Sequence, residues 1–315
     1  MPDKTLRMTL AESRGDRPVM LAIAGDSAAG KTTLTQGLVD TLGADRITSI
    51  CVDDYHRFDR TERRDKPFTA LHPDCNFVQI MEQHMQLLAT GQPILKPVYD
   101  HASGLLARPE LITPTQFVIV EGLLPLSTKL ARACFDVTVY LDPSEEIRRE
   151  WKCRRDITKR GYTREQVEAE LERREPESEA FIRPQRAVAD IVVRYAPVAG
   201  RQDPPGTPLS AELLLRPTIR HPDLTSVLAQ VDGDTMHLKL LRDTDGRPVD
   251  ALHVHGHAPA EESMLLKKAI WAAMGADEEL PTALGTLGVD ADGAPCVSEP
   301  LAVTQLLLLY HLLGG

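Results

Sequence analysis

Apolar and polar positions in the first half of the chain keep two rhythms. Short unbroken apolar runs occur at "VMLAIAG" (19–25), "ITSICVDD" (47–54), "FVIVEG" (117–122), "DVTVYLD" (136–142) and "ADIVVRYAP" (189–197). Between them lie helical or mixed segments. Such runs suit strands buried on both faces, so the pattern predicts an α/β fold with a mostly parallel sheet flanked by helices. Phe77, Ile80, Met81, His84, Leu87 and Leu88 recur at helical spacing, with Asp74 placed to cap the start and Gly91 and Pro93 to mark the end. Residues 145–175 read as a further helical region, dense in both signs of charge. "PVAGRQDPPGTPL" (197–209) reads as a linker. Strand-like runs follow at 211–219, 235–242 and 250–256, then helical patterns at 260–275 and 301–313. The expected organisation is one large domain over 1–196 and a small C-terminal α+β extension over 210–315.

Composition narrows the function classes. At 315 residues and 42% hydrophobic, the chain can bury a sizeable core. A net charge of −10 argues against a general nucleic-acid binder, though a local basic pocket for a small anion remains compatible. No apolar run reaches the length of a membrane span, and the N-terminus lacks a signal-peptide core, so a cytoplasmic protein is expected. The five cysteines are odd in number with no CxxC pair, and read as reduced thiols.

Gly25, Asp26, Ser27, Ala28, Ala29, Gly30, Lys31 and Thr32 match GxxxxGK[ST] in full, with Thr33 following, an apolar run before and a helical pattern after. Glycines let the backbone turn its N–H groups toward phosphates. Lys31 is placed for the β/γ oxygens, and the Thr32 hydroxyl for Mg2+. The expected ligands are therefore ATP and Mg2+. A GTPase reading needs an Asn-Lys-x-Asp guanine reader, and the single asparagine, Asn76, precedes Phe77. Glu121 ends an apolar run where an acid can hold the metal. Asp53 and Asp54 end another. Adjacent strand residues point to opposite faces, so one of the two is expected to face the γ-phosphate and act as base, unless these acids merely cap the following segments.

These segments, with "DDYHRFDR", "KPVYDHASGLLARPE", "VIVEGLLPL" and "KCRRDITKRG", resemble the phosphoribulokinase/uridine kinase family over roughly residues 18–195, and most of all its plant and cyanobacterial branch. The resemblance implies ATP-dependent phosphorylation of the C1 hydroxyl of ribulose 5-phosphate. It implies Asp53 as general base. It implies His56 and Arg60 as contacts to the sugar phosphate, Tyr99 and His101 as the lining of the sugar pocket, and Lys152, Arg155, Asp156 and Arg160 as a mobile segment closing over the phosphates. The branch's plant members pair a cysteine of the phosphate loop with one at the position of Cys51. Here the loop has no cysteine, so that switch is not expected.

Charge supports an anionic acceptor in part. "HRFDRTERRDK" holds five Lys/Arg in an otherwise acidic chain, and a neutral nucleoside needs no such cluster, although a solvated loop is the plainer account. The rivals are a uridine kinase, a kinase of another sugar or polyol, and a nucleotide-binding regulator without catalysis. As partners we expect a sugar phosphate and at most a second copy of the chain, with neither nucleic acid nor membrane. "HVHGH" puts His253, His255 and His257 at alternate positions. These suit a metal site, but no Cys or acid at convincing spacing completes it, and a polar sheet face is the simpler reading. "GVDADGAP" lacks the length and closing glutamate of a calcium loop.

Overall fold

The computed structural model of the chain describes residues 17–197, 208–275, 279–289 and 295–314. The linker expected at 197–209 and the acidic turn at 288–295 lie mostly outside them. In chain order the elements are β1 (Val19–Gly25), α1 (Lys31–Leu42), β2 (Ile47–Cys51), α2 (Val78–Ala89), β3 (Ile94–Asp100), β4 (Leu105–Ile112), β5 (Phe117–Gly122), α3 (Lys129–Arg132), β6 (Val137–Leu141), α4 (Glu145–Arg160), α5 (Arg164–Glu177), β7 (Ile191–Ala196), β8 (Ser210–Leu215), α6 (Thr225–Leu228), β9 (Met236–Arg242), β10 (Pro248–Val254), α7 (Ala260–Ala273), β11 (Thr286–Val289), β12 (Pro295–Val297) and α8 (Glu299–Leu312). Two compact units result. One comprises residues 17–31 and 45–189, the other residues 32–44 and 190–315.

In the first unit four strands run parallel in the order β2-β5-β1-β6. Every residue of β1 and β6 is buried, which is why these strands read as unbroken apolar runs rather than alternating ones. One face of the sheet packs Met20, Ile50, Val118 and Val120 against Met81, Met85 and Leu88 of α2. The start of α2 differs from expectation. Its first residue follows Phe77, with no side-chain cap, while Asp74 sits in a separate 3-10 turn, Pro73–Cys75. The β3–β4 hairpin was not anticipated, because β4 exposes nearly all its side chains and so carries no apolar rhythm.

In the second unit β7, β8, β10 and β9 form an antiparallel run in that order. Pairing places His237 opposite His253, and their rings stack with centroids 4.5 Å apart. α8 is buried from Pro300 to Leu312, which explains a helix apolar on all sides. Among the described residues no helix is long and apolar enough to cross a membrane.

α8 meets α1 at Gly37. A Cβ there would lie 2.0 Å from the Gln305 amide nitrogen. That fully buried amide accepts from Gly285 N–H at 2.8 Å and donates toward the Thr33 and Leu34 carbonyls at 3.4 Å. Helix propensity alone makes alanine better than glycine by about 1 kcal/mol. We expect the contact to reverse the sign, so that Gly37→Ala costs about 1–3 kcal/mol in urea unfolding, with Gln305→Ala recovering part of the loss. A Gly37→Ala variant at least as stable as the parent would refute this packing.

Candidate active site

The phosphate loop is anchored from several sides. Lys31 Nζ donates to the carbonyls of Gly25 and Asp26, both at 2.9 Å, closing the loop on itself. Ala28 sits at φ 65°, a left-handed conformation that a non-glycine residue adopts at some cost. The buried Asp26 carboxylate accepts from Ser27 N–H at 2.6 Å and from the Ser178 hydroxyl. Arg148 of α4 lies 3.5 Å from Asp26 and donates to the Ser27 carbonyl at 3.3 Å. Ser178 opens a π-helical turn, Ser178–Ile182, that follows directly on α5, whose last turn contains Pro176. Thr32 and Thr33 continue α1 directly from Lys31.

The two adjacent aspartates part company. β2 ends at Cys51, and Val52–Tyr55 form a 3-10 turn. Asp54 pairs with Lys96, itself buried, and accepts Tyr99 N–H at 3.1 Å. Asp53 turns instead to the end of β5, where its carboxylate accepts Leu123 N–H at 3.3 Å. Gly122 makes room for it. A Cβ at that position would lie 2.2 Å from Val52 and 3.1 Å from the Asp53 carboxylate, at φ 149°. Glu121 stands opposite Cys51 in the β2–β5 register. Burial, then the charges of Asp53 and Glu121, push the Cys51 thiol well up, so it stays protonated at neutral pH.

Around Asp53 runs an aromatic and basic wall. His56 packs edge-on against Tyr99 at 4.8 Å, and Tyr99 against His101 at 5.0 Å. Arg63 lies over the Tyr99 ring at 4.8 Å and donates to its hydroxyl. Arg60 spends its guanidinium on the turn between β3 and β4, donating to the carbonyls of His101 at 2.6 Å and Ala102 at 3.4 Å. His56 is buried, with Nδ1 2.7 Å from Asn76 Oδ1. The Asn76 amide donates to the Ala70 and His72 carbonyls, which fixes its oxygen toward His56. Hence Nδ1 carries the proton and Nε2 is an acceptor. Burial holds the imidazole down to about 4, against the nearby Asp53 charge.

The predicted closing segment is the last turns of α4, ended by Gly161 in a left-handed cap. Asp156 collects three cations there. Lys152 donates at 2.7 Å, Arg155 at 2.8 Å, and Arg160 lies at 3.4 Å. Burial alone would raise the Asp156 carboxyl, but the bonds from Arg155 and Lys152 hold it down to about 2. Burial, then the Arg174 charge, lowers the Lys152 ammonium to about 8. Arg155 also reaches the Ser27 hydroxyl at 3.3 Å, bringing α4 onto the phosphate loop.

The structure thus groups the phosphate loop with Arg148 and Arg155, and Asp53 with His56, Tyr99 and His101. Arg63, Asn76 and Arg148 belong to these groups and were not singled out from sequence. Arg63 lay within the noted basic cluster, while nothing local marks Asn76 or Arg148.

A parallel sheet whose first strand runs into such a loop is the fold of the P-loop kinases. The chain belongs to the phosphoribulokinase/uridine kinase family, whose model matches residues 20–200. It is 42% identical over 182 residues to a phosphoribulokinase of Synechocystis, covering 58% of this chain and 55% of that protein. It is 36% identical over 199 residues to the chloroplastic phosphoribulokinase of Triticum aestivum, covering 58% and 49%. The chain therefore spans about half the length of the curated relatives it matches. Phosphoribulokinase from Rhodobacter spheroides shares the fold at a TM-score of 0.57 and 18% identity, covering 80% of this chain and 98% of that one. The expected fold class and family resemblance are borne out.

His56 gives the first unit a pH dependence. Its folded pKa lies below that of the unfolded chain, so the unfolded state binds more protons between about pH 6.5 and pH 4, and stability falls as pH drops through that window. We expect this residue to withdraw about 2 kcal/mol between about pH 7 and pH 5. In urea unfolding His56→Gln should show a shallower fall than the parent. Equal slopes would contradict the buried neutral imidazole.

Proposed function

We propose that the protein transfers the γ-phosphoryl group of ATP to the C1 hydroxyl of ribulose 5-phosphate, forming ribulose 1,5-bisphosphate. The names of the relatives support the acceptor. The observation that carries the mechanism is the divergence of Asp53 from Asp54. One carboxylate is neutralised by Lys96, while the other sits at the strand ends beside the aromatic wall.

In this reading the loop amides and Lys31 receive the triphosphate, Lys31 exchanging its own carbonyls for β/γ oxygens. Arg155 and Arg160, oriented by Asp156, add positive charge from α4. Asp53 accepts the proton of the attacking hydroxyl. His56, neutral with Nε2 as acceptor, suits a sugar hydroxyl better than a phosphate. Arg63, beside Tyr99, suits the acceptor's phosphate. The Thr32 hydroxyl and the half-buried Glu121 carboxylate are hard oxygen donors that fit Mg2+, which when bound would neutralise charge on the β and γ oxygens.

The test is ADP release with ribulose 5-phosphate and with uridine. Turnover with the sugar phosphate and none with uridine is expected, and turnover with uridine alone would overturn the assignment. Asp53→Asn should lower kcat by about 10²–10⁴-fold while ATP affinity, read by fluorescent-nucleotide displacement, changes little. Full activity in that variant would remove Asp53 as base.

A further inference from the structure

Cys51, Asp53 and His101 offer a sulfur, an oxygen and a nitrogen that all lie within 4.8 Å of one another. No other such group of three or more occurs among the described residues. We propose that these three side chains form a site for a thiophilic divalent cation of the zinc class, and that its occupancy withdraws Asp53 from phosphoryl transfer. The inhibitory half rests on the reading of Asp53 as base. The binding half does not.

Donor chemistry and geometry support it. Thiolate, imidazole and carboxylate are a familiar mixed set for tetrahedral zinc, and three protein ligands leave a fourth position for water. Tetrahedral bonds of about 2.0–2.3 Å put ligand atoms about 3.5 Å apart, so closure needs a movement of about 1 Å. Cys51 and Asp53 are two residues apart at the end of β2 and in the turn after it. His101 is exposed just beyond β3, so its side chain can supply the movement. Metal binding expels the thiol proton to solvent, and Glu121 stands opposite Cys51 as a further negative charge. Mg2+ demands oxygen ligands in octahedral array and gains little from sulfur or imidazole, so the site is selective against the cation of the proposed reaction. Cys51 is not held in a disulfide, and the phosphate loop has no cysteine to pair with it.

The rival place for such a cation is the histidine face of the second unit, where His237 stacks on His253 and His253 Nε2 lies 3.3 Å from Glu212. Cobalt separates the two, because only a thiolate gives a strong near-ultraviolet charge-transfer band. The full chain, stripped with chelator, would be titrated with Co2+ and then Zn2+ in excess Mg2+, recording absorbance and ADP release normalised to each protein's metal-free rate. We expect one Co2+ with the thiolate band, displacement of that band by Zn2+, and loss of ADP release at one equivalent. Cys51→Ser should abolish the band and, with His101→Gln, weaken Zn2+ inhibition at least tenfold. Cobalt bound without a thiolate band, or inhibition unchanged in Cys51→Ser, would overturn the site. A normal band with undiminished ADP release would leave the metal site standing and overturn Asp53 as base.

Discussion

The site depends on the burial of Asp54 with Lys96. A carboxylate largely removed from water is tolerated only beside a cation and donors, and Asp54 has both, in Lys96 and the Tyr99 amide. Breaking such a pair leaves a stranded charge and costs about 3–5 kcal/mol, so the orientation of Asp54 is firmly held. Its neighbour is thereby sent the other way, toward Gly122 and Leu123. The same tie fixes β3 against the turn after β2, which brings Tyr99 and the loop with His101 beside Asp53.

α4 organises the other half. It sends Arg148 and Arg155 to the phosphate loop and keeps Lys152, Arg155 and Arg160 on one carboxylate. Asp156 stays ionised down to about 2, so its pairing with Arg155 and Arg160 holds across the physiological range, while Lys152, lowered to about 8, begins to lose its proton at the alkaline end. Three cations with one anion leave a net positive end facing the loop that would receive the triphosphate. An otherwise acidic protein thus presents positive charge beside its phosphate-loop motif.

Much of this was legible in the sequence because it is local. The buried parallel strands show as apolar runs, the loop as a contiguous motif, and Asp53, Asp54 and Glu121 as acids at run ends. What escaped is tertiary. The Asp54–Lys96 tie joins residues 42 apart. Asn76 orients His56 across 20 positions, and Arg148 reaches the loop across 121. None leaves a periodic trace. The β3–β4 hairpin escaped for the opposite reason, since an exposed strand has no apolar rhythm to read. Arg60 shows that a basic residue in a promising motif can bind backbone elsewhere in the chain, here the turn 41 positions on that carries His101.

A crystal structure with ADP and ribulose 5-phosphate bound would decide between the two aspartates. The C1 hydroxyl is expected at hydrogen-bond distance from Asp53, about 2.6–3.2 Å, with Asp54 still paired to Lys96 and the sugar's phosphate on the Arg63 side. A sugar hydroxyl held by Asp54, or an acceptor bound away from the wall of His56 and Tyr99, would contradict this arrangement.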